Sequence, residues 1–181
     1  LETKPEKAIK LEKDALALIK EITEENAHLV SNLHSNLGGL YRMNSYPALA
    51  REHMEKGLFL LEQYNLLYTN DSIPQITNYA MLLTEQQSPE KGISVLQKVS
   101  KIIKEYNSDC NLDYATVQET LGIIYLMTAN LPQAKTHFKR AFKIYEKIWA
   151  DEPEMIEKKC QEIQELYPQV GFFLGQQISN F

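Results

Sequence analysis

Leu37-Gly38-Gly39-Leu40-Tyr41 returns eighty-four residues later as Leu121-Gly122-Ile123-Ile124-Tyr125. Each copy continues into a matched second half. Ala50, Met54 and Gly57 follow the first; Ala134, Phe138 and Ala141 follow the second. Small, large, small at steps of four and three is the inner stripe of a helix that lies close on its neighbour. Eighty-four is twice forty-two, and a divergent copy sits midway: Tyr79, Ala80 and Leu83, then Gly92, Leu96 and Val99. One step further back, Ala8 and Ala15 form another small pair. Pro5-Glu6-Lys7-Ala8-Ile9 is echoed by Pro89-Glu90-Lys91-Gly92-Ile93, and Pro47 has the same phase. Proline in a first helical turn loses no hydrogen bond, so it marks where each second helix starts. The chain is built by repetition.

The unit is helix, short turn, helix, then a connection. Residues 5–22 read as the second helix of a truncated repeat without its first helix. Helices at 25–42 and 47–68 form a repeat, 73–86 and 89–106 a divergent repeat, and 112–128 and 131–150 the best-matched repeat. Residues 70–72 and 107–111 read as turns. Residues 152–166 are amphipathic, with Met155, Ile156, Ile163 and Leu166 on one side, as a cap on the last repeat requires. The tail, 167–181, carries Val170, Phe172, Phe173, Leu174, Ile178 and Phe181. It either folds back on the last helices, continues into further sequence or docks on a partner. The fold class is all-α, a single domain over 1–181 in which antiparallel helix hairpins stack as an α-solenoid. Gly38, Ala80 and Gly122 face Ala50, Gly92 and Ala134, where missing side chains let two helix backbones approach.

This pattern resembles the tetratricopeptide repeat, whose signature is a Leu-Gly-x-x-Tyr helix followed by an Ala-x-x-x-Phe helix. The resemblance covers roughly residues 5–167. The forty-two-residue period is similar to the repeats of kinesin light chains and of bacterial peptide-sensing regulators. The C-terminal helical half of SET–MYND lysine methyltransferases is also similar. The family's tryptophan position holds His34 in one unit and Gln118 in another. The resemblance implies a right-handed superhelix with first helices lining a concave groove.

Composition narrows the function. The net charge of −5 argues against nonspecific nucleic-acid binding. No run of eighteen apolar residues or signal peptide is visible, so a cytoplasmic location without membrane partners is expected. Leu1 in place of Met raises the expectation that the chain is part of a larger protein. Cys110 and Cys160 read as free thiols rather than a disulfide. Asn70-Asp71-Ser72 is a formal glycosylation triplet that reads as a chance match.

No catalytic constellation is present: no P-loop, GxGxxG, HExxH or GxSxG. No cofactor is expected. His28, His34, His53 and His137 lack the companion ligands of a metal site. His53 and His137 share a phase, which suggests a repeated surface position. Tyr41, Tyr125, Phe138 and Tyr145 read as core.

Protein or peptide binding remains. The groove of the resemblance places ligand contacts on first helices: Asn36, Gly39, Arg42 and Met43; Asn78, Met81 and Glu85; Thr120, Ile123 and Met127. An asparagine can donate to and accept from a peptide backbone at once, or simply face solvent. Methionines give an adaptable apolar surface, and Arg42 suits a carboxylate. The expected function is a non-catalytic interaction scaffold. The alternative is a helical regulatory or substrate-positioning region of a larger enzyme or peptide-sensing regulator. The unpaired first helix and the apolar tail offer a route to self-association.

Overall fold

Left-handed residues at one repeat phase punctuate the backbone. Ser45, Gln87 and Ala129, each forty-two residues from the next, have φ of 62°, 58° and 58°. Each ends the first helix of a hairpin with the same pair of bonds. Ser45, Gln87 and Ala129 donate to the carbonyls of Arg42, Thr84 and Leu126, at 3.1, 3.1 and 3.0 Å. The next residues, Tyr46, Ser88 and Asn130, donate to Tyr41, Leu83 and Tyr125, at 2.9, 2.8 and 2.8 Å. This is the Schellman closure, usually made with glycine because a Cβ disfavours the left-handed region. Ala129→Gly is therefore expected to raise stability by about 0.5–1 kcal/mol, read as a shifted urea midpoint at unchanged slope.

The computed structural model describes residues 4–106 and 111–168. Among them lie eight α-helices: α1 (Lys4–Leu18), α2 (Glu24–Met43), α3 (Pro47–Gln63), α4 (Ile73–Glu85), α5 (Pro89–Tyr106), α6 (Leu112–Met127), α7 (Leu131–Ile148) and α8 (Pro153–Leu166). A 3-10 turn at Asn70–Ser72 leads into α4. The helix starts follow local chemistry. Asn26 Oδ1 accepts from the Thr23 N–H, Asn111 Oδ1 from Tyr114 N–H, and Asn130 Oδ1 from Gln133 N–H. Proline lies in the first turn of α3, α4, α7 and α8.

Two helices stop short of the sequence reading. α3 ends at Gln63 rather than at Tyr68, because Asn65 turns left-handed (φ 57°) and Leu66 N–H closes on Leu61 O at 2.7 Å. α1 ends at Leu18 rather than Ile22. The expected turn at 107–111 lies outside the described residues except for Asn111. So does the tail beyond Pro168.

The chain divides into two compact units, residues 1–99 and 100–181. In the first, α2 and α3 form a tight hairpin around Leu37, Tyr41, Ala50 and Met54, joined by Leu82 of α4. α1 is not without a partner: Ile9 and Leu16 pack on this cluster, while Leu11 and Leu18 stay exposed. In the second unit α6 and α7 pair around Phe138, Phe142 and Tyr145, and α8 closes the core with Cys160 and Ile163. Leu166, read as part of that apolar side, is 72% exposed. Lys159 of α8 instead reaches the Glu119 carboxylate at 3.0 Å, and Glu119 accepts from Tyr145 Oη at 2.6 Å. That ties α6, α7 and α8 through one nearly buried acid.

The glycines mark the closest approaches. A Cβ on Gly92 would sit 2.6 Å from the Ala80 main-chain oxygen. On Gly38 it would meet Met54 Cγ, and on Gly57 the Ser31 oxygen at 3.0 Å.

Candidate functional site

In the first unit α2 and α4 lie side by side and carry seven of the expected contact residues. Gly39 opens onto free space, with nothing within 4 Å of where a Cβ would stand. Met43 is 82% exposed beside it, and Asn78 faces solvent on α4. Arg42 and Glu85 do not await a ligand separately: Arg42 Nε meets Glu85 Oε2 at 3.2 Å. The bond uses one edge of the guanidinium and leaves donors on the other. Asn36 donates to Glu12 Oε1 of α1 at 3.1 Å. Of these two asparagines, Asn78 is the one whose amide has no hydrogen bond among the described residues.

The second unit departs from the expected ladder. Thr120 is 7% exposed, and its hydroxyl donates back to the Thr116 carbonyl at 2.9 Å. It is consumed by its own helix and takes no part in a surface. Ile123 packs on the core, and Met127 is 42% exposed.

The histidine reading requires correction. His137 is 7% exposed and His53 is half-buried; neither is a surface position. His53 stacks on Tyr41 and His137 on Tyr125, with ring centroids 5.4 and 5.3 Å apart. Each histidine then meets the residue at the family's tryptophan position. His53 Nδ1 lies 2.9 Å from His34 Nδ1, and His137 Nδ1 donates to Gln118 Oε1 at 2.8 Å. Gln118 Nε2 passes the bond to Ser100 Oγ at 2.9 Å. Burial pushes His34 and His137 down to about 4, helped by His53 at the first and Arg140 at the second. His53 is also lowered, first by burial. A polar trio with the same contacts therefore recurs in these two repeats. The matching +84 spacing of His34/Gln118, His53/His137 and Tyr41/Tyr125 was the available sequence signal.

In the middle repeat the corresponding residues are Ile76, Val95 and Leu83. Ile76 and Val95 line a cavity of about 300 Å³, walled also by Phe59, Tyr68, Tyr79 and Lys98. Tyr79 Oη donates to Glu55 at 2.8 Å, and burial, then that bond, holds its phenol up at about 12. Nothing in the sequence marked this cavity.

Cys160 is buried, and burial pushes its thiol up to about 11, which makes it a poor nucleophile. Cys110 lies outside the described residues. Among the described residues no three His, Cys, Asp or Glu side chains are grouped to hold a metal ion. No helix among them is long and apolar enough to cross a membrane.

The hairpin geometry has a counterpart in known families. A family model described as tetratricopeptide repeat matches residues 72–147, which span α4 to α7. Residues 72–147 are thus tetratricopeptide repeat. The crystal structure of BtubC (BKLC) from P. vanneervenii is similar, with a TM-score of 0.68 at 19% identity over 79% of this chain. The present chain spans 56% of the length of that relative. No curated protein sequence matches. Tetratricopeptide repeats generally mediate protein–protein interaction, and their fold is typically a non-catalytic scaffold. The all-α solenoid fold class follows from the same hairpins.

Proposed function

We propose that this protein holds a peptide or an extended segment of a partner protein on the α2–α4 face of its first unit. The observation that carries this reading is the combination around Gly39. Open space lies above a glycine, with exposed Met43 beside it and the Arg42–Glu85 pair spanning the two helices. Asn78 would bond the ligand backbone through both halves of its amide. Arg42 would offer its free edge to a carboxylate while Glu85 keeps it oriented. Met43 and Met81 would adapt to an apolar side chain.

The test is titration calorimetry with peptides selected against the intact chain. Asn78→Ala/Arg42→Ala is expected to weaken the selected peptide about tenfold, or about 1.4 kcal/mol. Both side chains are at the surface, so the fold is retained. Unchanged affinity in the double variant would place the ligand on another surface.

A further inference from the structure

The chain is acidic overall, yet four cations surround one cavity in the second unit. Lys104 of α5 and Arg140, Lys143 and Lys147 of α7 line a pocket of about 240 Å³, with Tyr114 and Ile144 as its aromatic and apolar wall. Arg140, Lys143, Ile144 and Lys147 are spaced three, four and seven apart, which places them on one face of α7. None of the four cations has an ion pair among the described residues. Of the acids next to these residues in sequence, Glu105 pairs with Lys101 and Asp113 has a contact of its own.

The repeat register shows that this charge is not what the fold requires. Forty-two residues earlier, the equivalents of Lys104 and Arg140 are Glu62 and Lys98, an acid and a base that attract each other on the wall of the cavity in the first unit. The equivalents of Lys143 and Lys147 are Lys101 and Glu105, an ion pair one helical turn apart. One repeat further on, both acids have become lysine, at Lys104 and Lys147. Two attractive pairs are replaced by two repulsive ones, and like charges one turn apart on a helix destabilise it. An external anion offsets that repulsion.

The geometry points to a binding site for a phosphoryl group carried on a side chain of a partner protein, held by Lys104, Arg140, Lys143 and Lys147. A phosphoryl dianion offers three acceptor oxygens to several cationic donors at once, and Arg140 can engage two of them in parallel. The cavity exceeds what a bare tetra-oxo anion fills, and Tyr114 with Ile144 gives the remainder an apolar lining suited to the carrier side chain. A nucleic acid fits less well: its phosphates need an extended basic track, and the chain's net charge is −5. The site shares no residue with the α2–α4 face, so it stands whether or not a peptide binds there.

The variant Lys104→Glu/Lys147→Glu restores the acids of the preceding repeat. It is expected to fold with a melting temperature equal to or above that of the parent. Amide NMR shifts on the full chain at constant ionic strength are the readout, with a phosphoserine peptide, its unphosphorylated form, inorganic phosphate and oligothymidylate as probes. The phosphopeptide is expected to move the amides of α7 around Arg140 to Lys147 in the parent, and to bind about tenfold or more weakly to the variant. Unchanged binding in the variant overturns the site, as does equal binding of the unphosphorylated peptide. Inorganic phosphate binding as tightly as the phosphopeptide overturns the protein-borne ligand in favour of a free anion. Binding of oligothymidylate without the phosphopeptide overturns it in favour of a polyanion.

Discussion

Gly92→Leu is expected to remove about 3 kcal/mol or more of folding free energy. Helix propensity alone would give the opposite sign, because leucine is favoured over glycine in a helix interior by somewhat under 1 kcal/mol. The contact decides the outcome. A Cβ at Gly92 would lie 2.6 Å from the Ala80 oxygen and 3.2 Å from Thr84 Oγ1. The obstruction is main chain, and that carbonyl already accepts from Thr84 Oγ1 at 2.9 Å. Relief requires α5 to move off α4, which reopens the hairpin. Gly92→Ala tests the same contact without the longer side chain, and a loss of about 1–2 kcal/mol is expected after the propensity gain is subtracted. Gly39→Ala is the control. Nothing stands within 4 Å of its Cβ position, so only the propensity term acts and stability rises by up to about 1 kcal/mol. Urea unfolding of the three variants gives the order directly. A Gly92→Leu protein as stable as the parent would mean that the two helices are not in backbone contact there.

The same glycines show what the sequence disclosed about the fold and why it stopped where it did. Small residues at a fixed register are legible because close approach of helices excludes every larger side chain. The positions of the hairpin turns were legible from the helix bounds, but their conformation was not. Ser45, Gln87 and Ala129 adopt the left-handed region without being glycine, so composition carried no sign of them. The early end of α3 was masked for a related reason. Leu66, Leu67 and Tyr68 continue the apolar pattern past Asn65, and periodicity cannot register a single residue that reverses its φ. On the candidate face the sequence placed Arg42 and Glu85 on neighbouring helices at nearly the same phase. Their mutual bond depended on the offset of α2 and α4, which is a packing result. His53 and His137 depart from the surface position that a polar residue at a repeated phase suggests. Their rings are instead covered by Tyr41 and Tyr125, a relation between two helices that a one-helix pattern does not contain.

Those histidines carry the second large effect, a loss of stability on mild acidification. His34 and His137 titrate near 4 in the folded chain against 6.5 when solvated, and His53 is shifted the same way. Between those values the unfolded chain binds more protons than the folded one, so stability rises with pH. The contribution is fully present above pH 6.5 and is lost as pH falls toward 4. At 1.36 kcal/mol per pKa unit, His137 alone would account for about 3 kcal/mol, which partial solvation reduces to about 1–3. The structural cause differs between the two units. In the second, His137 already donates through Nδ1 to Gln118, so the added proton goes to the other ring nitrogen, against burial first and the Arg140 charge second. In the first, His34 and His53 face each other through Nδ1, one as donor and one as acceptor. A proton on the acceptor turns the bond into a contact of two donors, with Lys56 adding to the repulsion and Glu52 opposing it. Urea midpoints between pH 7.5 and 5 should therefore fall steadily, in a range above that in which most carboxylates titrate. His137→Asn keeps a donor for Gln118 and removes the titration. Its midpoint should fall less over the same interval, and a slope equal to the parent's would show that the buried imidazole of the second unit is not what senses the acid.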